Sequence, residues 1–464
     1  MKGKYVGEYR TVPGEISSIL KENLLEYESA GTFWRATYDS SQAMPVFKRQ
    51  EGVRIYDVDG NEYIDTLGPF AASCLGHTPH ELISAVTDQM KSLMHLADMP
   101  TEPRALLVKE LTRIAPGDLK NGRVQFEVGG GPAVDLALKL AQYFTPEPQE
   151  EIISFFGGYH GRTTATVSVA ANAYYRERIP GINRQVIRVA YPYCYRCFYN
   201  KEYPDCDLFC VRYLEQLFES AEYGVYDPVT GVNLVSTLII EPVQSHSGMI
   251  VPPPEFYPRL REFCTRYNIV FISDAIPMSI GRSGKWFTCD HWNVTPDILT
   301  VSKSLTGGIW PLSAVIAKRE IFDAWENRPD KHMGTWHGNP VGCRAALTVI
   351  NEIEHRGLLK QVAEMGEYFK LGLLNLQTKY SIIGEVAGIG LALGIEIVRN
   401  QHTKEPAADE TKQIVLEALK RGVIMLRVGY FGNRITFMPP YVIEKADIDL
   451  ILKVLEDSIS TVIR

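Results

Sequence analysis

Several absences narrow what this chain can be. It has no apolar stretch approaching the roughly 18–20 residues that a helix needs to cross a bilayer, so an ordinary helical membrane protein is excluded. Positive charge is in deficit: 48 Lys and Arg against 55 Asp and Glu leave a net charge of −7 and a pI near 5.9. Neither nucleic acid nor an anionic membrane surface is therefore an expected partner. Residues 1–10 lack the apolar core of a secretory signal, so the cytoplasm is the simplest address. No internal repeat and no low-complexity tract is present, which argues against solenoids and disordered linkers.

What is there has the composition of a globular protein, 45% hydrophobic and 22% charged. At 464 residues the chain is too long for one ordinary core and predicts two or three packed units. Residues 1–65 read as a helix from Glu15 and a hairpin whose strands flank Asp59-Gly60-Asn61. Residues 66–335 alternate short apolar strands with longer helical segments, the pattern of a parallel sheet with crossover helices. Residues 336–464 open with a long helix and read as a smaller α+β domain. The fold class is therefore α/β.

Eight cysteines fall into two groups. Cys74, Cys264, Cys289 and Cys343 are scattered, as small buried apolar residues usually are. Cys194, Cys197, Cys206 and Cys210 cluster in an insert rich in Tyr and Pro, with spacing short enough for a tetrahedral zinc site. Reduced thiols packed among aromatics are the other reading.

Chemistry is sharpest at two positions. Lys303 follows the apolar run Ile298-Leu-Thr-Val and precedes a Gly-Gly turn. An amine at such a strand end, partly desolvated, becomes a nucleophile for carbonyl carbon. Asp274 ends the apolar run Ile269-Val-Phe-Ile-Ser, at the sheet edge where open α/β sheets bind ligands. Asp274 as a plain helix N-cap is the competing reading, weakened because residues 275–284 read as loop. A lysine for a Schiff base and a carboxylate to hold a pyridine nitrogen protonated are the pair that pyridoxal 5'-phosphate requires.

The stretch from Leu238 to Lys318 resembles the class III pyridoxal-phosphate-dependent aminotransferases. Ile240-Glu-Pro-Val-Gln244, Gly281-Arg-Ser-Gly-Lys285, Pro296-Asp-Ile-Leu-Thr-Val-Ser-Lys303 and Pro311-Leu-Ser-Ala-Val-Ile316 follow that family in order and spacing. Matches extend from Tyr56-Asp-Val-Asp-Gly-Asn-Glu-Tyr-Ile-Asp65 to Pro439-Pro440. The resemblance implies fold type I, with a large cofactor-binding domain and a small α+β domain. It implies Lys303 as the Schiff-base lysine and Asp274 as partner of the ring nitrogen. Tyr159 and Ile276 would lie on opposite ring faces, with His160 and Glu241 in the same crevice. Thr335 would reach the phosphate from the neighbouring subunit, which implies a homodimer with its active site at the interface, or a tetramer. Trp34, Phe70 and Trp310 fall where family members line the pocket.

Three departures stand out. The phosphate turn, usually Ser-Gly-Thr or Ser-Gly-Ser followed by an acid, is Gly129-Gly130-Gly131-Pro132 here, which keeps backbone amides and loses hydroxyl donors. Ala275 and Pro277 stand where an acid and a glutamine are common, and Pro277 has no N–H to offer. Thr436 occupies the position of an arginine that clamps an α-carboxylate in many relatives; Arg434, two residues earlier on the same strand face, is a candidate substitute. Loss of that clamp favours ω-amines, β-amino compounds or a β-aminoacyl thioester as donor and a 2-oxo acid as acceptor, in a ping-pong aldimine mechanism. Racemisation, epimerisation or decarboxylation of an amino acid is the alternative, and an impaired, structural relative is the third reading.

Overall fold

The structure is a computed structural model that describes residues 3–32, 44–147, 149–179 and 185–464. The chain forms two compact units. One takes in residues up to His80, the short stretch Ser247–Met249 and His355–Arg464; the other takes in Glu81–His246 and Ile250–Glu354. The unit boundaries thus fall near 80 and 354 where the sequence pattern suggested 65 and 335, because the turn after the N-terminal hairpin packs with its own sheet and the long helix Pro340–His355 stays with the larger unit.

The larger unit is built on a seven-stranded sheet. Its strands run across the sheet in the order Arg123–Glu127, Ser313–Ala317, Ile298–Val301, Val270–Asp274, Val235–Ile240, Glu151–Phe155, Val186–Val189. The last five pair in parallel, while Ser313–Ala317 is antiparallel to both neighbours. Four strands, Val235–Ile240, Val270–Asp274, Ile298–Val301 and Ser313–Ala317, are buried at every position, which is why they read as continuous apolar runs without alternation. Helix Gly130–Phe144 lays Val134, Ala137, Leu138 and Ala141 into a core with Ile239, Ile272, Ile298 and Val315. Each large side chain so buried contributes about 1.5–3 kcal/mol. This packing fixes the glycine-rich N-terminus of the helix above the carboxyl edge of the sheet.

The smaller unit holds two sheets. In one, Phe47–Glu51, Arg54–Asp57 and Glu62–Asp65 are antiparallel and Val423–Ile424 adds in parallel. The hairpin read from Asp59-Gly60-Asn61 is present in it. In the other, Ile383–Ile389, Ala392–Asn400, Arg434–Phe437 and Leu426–Val428 pair in that order, all antiparallel, with Glu405–Pro406 beside the second strand. Among the described residues, no helix is long and apolar enough to cross a membrane.

Candidate active site

Asp274 ends one parallel strand, and Thr300 lies opposite it in register on the next. Register therefore delivers the Thr300 hydroxyl to Asp274 Oδ1 at 3.1 Å, where the Ile276 amide also donates at 3.3 Å. Oδ2 faces His160 Nδ1 at 2.7 Å, and both side chains are buried. His160 Nε2 is buried without a partner. A carboxylate with three such neighbours is locked in orientation.

Lys303 stands two residues past strand Ile298–Val301 and is half-buried. Its backbone is left-handed, with φ 50°, an uncommon conformation for a residue with a side chain. Such strain of order 1–3 kcal/mol persists only where the surrounding fold imposes it. Burial pulls the Lys303 amine below the ordinary lysine range; Glu241 and Asp274 oppose that pull, and Arg282 adds to it. The amine thus shares its field with the two carboxylates that the sequence placed beside it.

Glu241 directly follows strand Val235–Ile240 and is 2% exposed. Its Oε2 accepts the Tyr159 amide at 2.9 Å, and Oε1 is approached by the Ser245 amide and hydroxyl at 3.4 and 3.3 Å. Burial pushes its carboxyl up to about 7; His160 opposes that shift and Asp274 reinforces it. A carboxyl in that range changes charge near neutrality.

Tyr159 leads to residues that sequence reasoning missed. Its ring lies 5.1 Å from His246 at a 34° tilt and meets Tyr175 edge-on at 6.0 Å. Tyr175 Oη and His246 Nε2 are 3.2 Å apart. The Arg162 guanidinium sits 3.7 Å from the Tyr175 ring centre and 5.8 Å from that of Tyr159. His246 is pushed down to about 4 by burial, with Arg162 and Lys303 adding to the shift, so it is neutral at physiological pH. Among the described residues Arg162 has no carboxylate partner, although in its motif Gly158-Tyr-His-Gly-Arg162 only Tyr159 and His160 stood out in the sequence. An unpaired arginine beside a candidate site is the signal that was available.

The glycine run shows a cradle. Gly129 caps helix Gly130–Phe144, and its carbonyl accepts the Ser313 hydroxyl at 2.8 Å. A Cβ on Gly130 would come within 3.1 Å of Ile276 Cδ1, and one on Gly131 within 3.2 Å of Thr163 Cγ2. The structure therefore brings Ile276 to the helix N-terminus, where free amides and the helix dipole favour an anion. The anion cradle, the locked Asp274 and the lowered Lys303 amine fit the phosphate, ring nitrogen and aldehyde of pyridoxal phosphate.

Other expected residues fare differently. Trp310 is half-buried against Gly342, whose Cβ would lie 2.8 Å from its indole Cδ1. Thr335 lies on an exposed turn. Phe70, in the smaller unit, is exposed with φ 59°. Trp34 lies outside the described residues. Arg434 requires a correction: it is 1% exposed, and its Nη1 donates to Glu385 at 2.6 Å and Glu396 at 2.9 Å. Its stem is enclosed by Gly248 and Gly429, where a Cβ would meet it at 2.2 and 3.0 Å. A buried arginine held by two carboxylates is a structural ion cluster, so it does not replace the missing clamp. Thr436 is fully buried, and its hydroxyl has no partner.

The cysteine quartet lines one small cavity with Tyr191, Tyr193, Phe198 and Tyr199. Burial, with Cys194 adding, pushes the Cys210 thiol up to about 12. Among the described residues, three His, Cys, Asp or Glu ligand atoms converge within 4.8 Å at Glu127, His332 and His337, and the four sulfurs form no such group. Cys194, Cys197, Cys206 and Cys210 share that cavity without three of their sulfurs converging among the described residues.

Fold and site together define a pyridoxal-phosphate enzyme of fold type I. The chain belongs to the class-III aminotransferase family, whose sequence profile matches residues 37–459. It is 34% identical over 431 residues to a leucine/methionine racemase of Thermococcus litoralis, covering 92% of each chain. It is 32% identical to a probable 4-aminobutyrate aminotransferase of Bacillus subtilis, covering 88% of this chain and 91% of that one. Among solved structures, an amine transaminase from an uncultivated Pseudomonas species superposes with a TM-score of 0.84 at 29% identity, covering 94% of this chain and 98% of the other.

Proposed function

We propose that this class-III enzyme is a transaminase whose donor carries its amine away from a carboxylate, with a 2-oxo acid as acceptor and ping-pong turnover. One observation carries the reading: Arg434 is held by Glu385 and Glu396, whereas Arg162, beside the Tyr159–His246 aromatic pair, has no carboxylate partner among the described residues. A guanidinium held by Tyr159 and Tyr175 and lacking a carboxylate partner among the described residues suits a remote carboxylate better than an α-carboxylate, so an ω-amino acid is favoured over a plain amine, a β-amino compound or a β-aminoacyl thioester. The probable 4-aminobutyrate aminotransferase of Bacillus subtilis is a relative whose named substrate has that shape.

Pyridoxal phosphate, when bound, supplies an aldehyde for amine exchange and an electron sink for the carbon that loses a proton. Lys303, its amine lowered by burial, provides the nucleophile that holds the aldehyde and then the base that carries the proton. Asp274, oriented by His160 and Thr300, keeps the ring nitrogen protonated. Tyr159 and Ile276 flank the ring, and the amides of Gly129, Gly130 and Gly131 take the phosphate. Thr335 of a second copy completes that anchor, which makes the working unit a homodimer in the cytoplasm.

A second reading is amino-acid racemisation or epimerisation, favoured by the 34% identity to the Thermococcus litoralis racemase. The two readings separate in one experiment. Holoenzyme is mixed with stoichiometric 4-aminobutyrate, and in parallel with L-leucine in D2O, with no keto acid present. Transamination bleaches the cofactor band of the first sample and releases one aldehyde per site. Unchanged absorbance there, with deuterium incorporation and optical scrambling of leucine, would replace this reading with the second.

A further inference from the structure

Glu127 ends strand Arg123–Glu127, two residues before the glycine run, and is 3% exposed. Each carboxylate oxygen faces a different imidazole: Oε1 faces His332 Nε2 in a short contact, and Oε2 faces His337 Nε2 at 3.0 Å. The two rings stack with centroids 5.5 Å apart and planes 22° apart. All three ligand atoms lie within 4.8 Å of one another. His332 and His337 bracket Thr335 on its exposed turn. We propose that Glu127, His332 and His337 bind a zinc-class divalent cation, which clasps the Thr335 turn to the end of the strand that feeds the phosphate cradle.

Two imidazoles and a carboxylate with open positions for water suit Zn2+ or Co2+, whereas Ca2+ and Mg2+ call for all-oxygen shells. Ligands about 2.0–2.1 Å from a tetrahedral ion lie about 3.3 Å apart, and the three ligand atoms here fall within 4.8 Å of one another. The His337–Glu127 pair needs to open by only a few tenths of an ångström.

The protons balance without a co-reactant. A ring whose Nε2 carries a proton must pass it to Nδ1 or release it to solvent before the Nε2 lone pair can take the metal. A doubly protonated ring loses one proton to solvent. Among the described residues His337 Nδ1 is buried without a partner, so no donor occupies it. His332 Nδ1 faces Lys139 Nζ at 3.3 Å, and Lys139, which also lies 3.2 Å from the Lys331 carbonyl, is exposed and free to swing aside. The Gln125 amide holds the His332 carbonyl at 2.7 Å, which fixes the turn whichever tautomer is present.

The test uses full-length holoenzyme, stripped with a chelator and titrated with Co2+. Expected are one ion per chain, visible d–d bands without thiolate charge transfer, and X-ray absorption showing imidazole and oxygen neighbours. His337→Asn should weaken binding by about 10-fold or more, by the usual worth of a metal ligand or its support. Cys197→Ser should leave binding unchanged, because the cysteine quartet is the competing soft site. Absence of saturable uptake, sulfur in the ligand shell, or full affinity in a folded His337→Asn protein would each overturn the proposal. If His337→Asn does not fold, the wild-type X-ray absorption decides alone. None of these outcomes bears on the role of Lys303.

Discussion

Glu241 and Glu127 invite comparison because so much about them is alike. Both sit at strand ends of one sheet, at 2% and 3% exposure. Yet one carboxyl is pushed up to about 7 and the other held down at about 2. Burial raises both, so the neighbours decide the sign. Glu241 has a backbone amide and a serine for company, and its nearest strong field includes the like charge of Asp274. Glu127 has an imidazole on each oxygen. A buried carboxylate with amide donors alone gains or loses a proton near neutral pH; one bracketed by two imidazoles does not. The first suits chemistry and the second suits anchoring or metal capture.

The largest expected effect separates the two regions by activity. Lys303→Ala should reduce turnover by about 10³-fold or more, within the range that a positioned acid–base and nucleophilic group supplies, while leaving the thermal midpoint nearly unchanged. Residual turnover within about tenfold of wild type would remove the chemical half of the contrast.

Glu127→Gln tests the other half through stability, in chelated buffer. A carboxyl lowered from 4.5 to about 2 is depressed in the folded state, so its stabilisation is fully present above pH 4.5 and is lost as pH falls toward 2. The variant should be roughly 3 kcal/mol less stable than wild type at pH 7, and the two should converge near pH 2, as denaturant unfolding would read. A constant difference across that window would mean that Glu127 acts by packing alone.

The smallest effect refines the picture at Glu241. Wild-type kcat/KM should show an inflection near pH 7 that Glu241→Gln lacks. The two enzymes should nearly coincide at acid pH, where both carry a neutral side chain, and differ by about tenfold once the wild-type carboxyl has ionised. Retention of the inflection in the variant would assign it to another group.

Much of this was legible because the strands announce their ends. Asp274, Glu241 and Lys303 each close or follow a short strand rich in apolar residues, and a strand buried on both faces has one chemically distinctive exit. Register then added Thr300 to Asp274, which no local pattern encodes. The partners of Arg434 were out of reach for the same reason: Glu385 and Glu396 stand 49 and 38 residues away and meet it only through sheet pairing. His332 and Glu127 are separated by 205 positions, so their convergence belongs to tertiary structure alone. Arg162 and His246 sit on loops, where neither helical nor strand period singles out a residue. The cysteine spacing brought the four residues to one cavity, but spacing alone does not set where their sulfurs aim.

The three glycines of the phosphate cradle differ in what they would tolerate. Gly130 is shut by Ile276, and Gly131 is crowded by Thr163. Gly129 has an extended backbone, φ −179°, and a Cβ there would meet nothing closer than Pro132 Cδ at 3.8 Å. A protein engineer wishing to retrofit the missing hydroxyl therefore has one vacant socket, and serine drops into it without disturbing a neighbour.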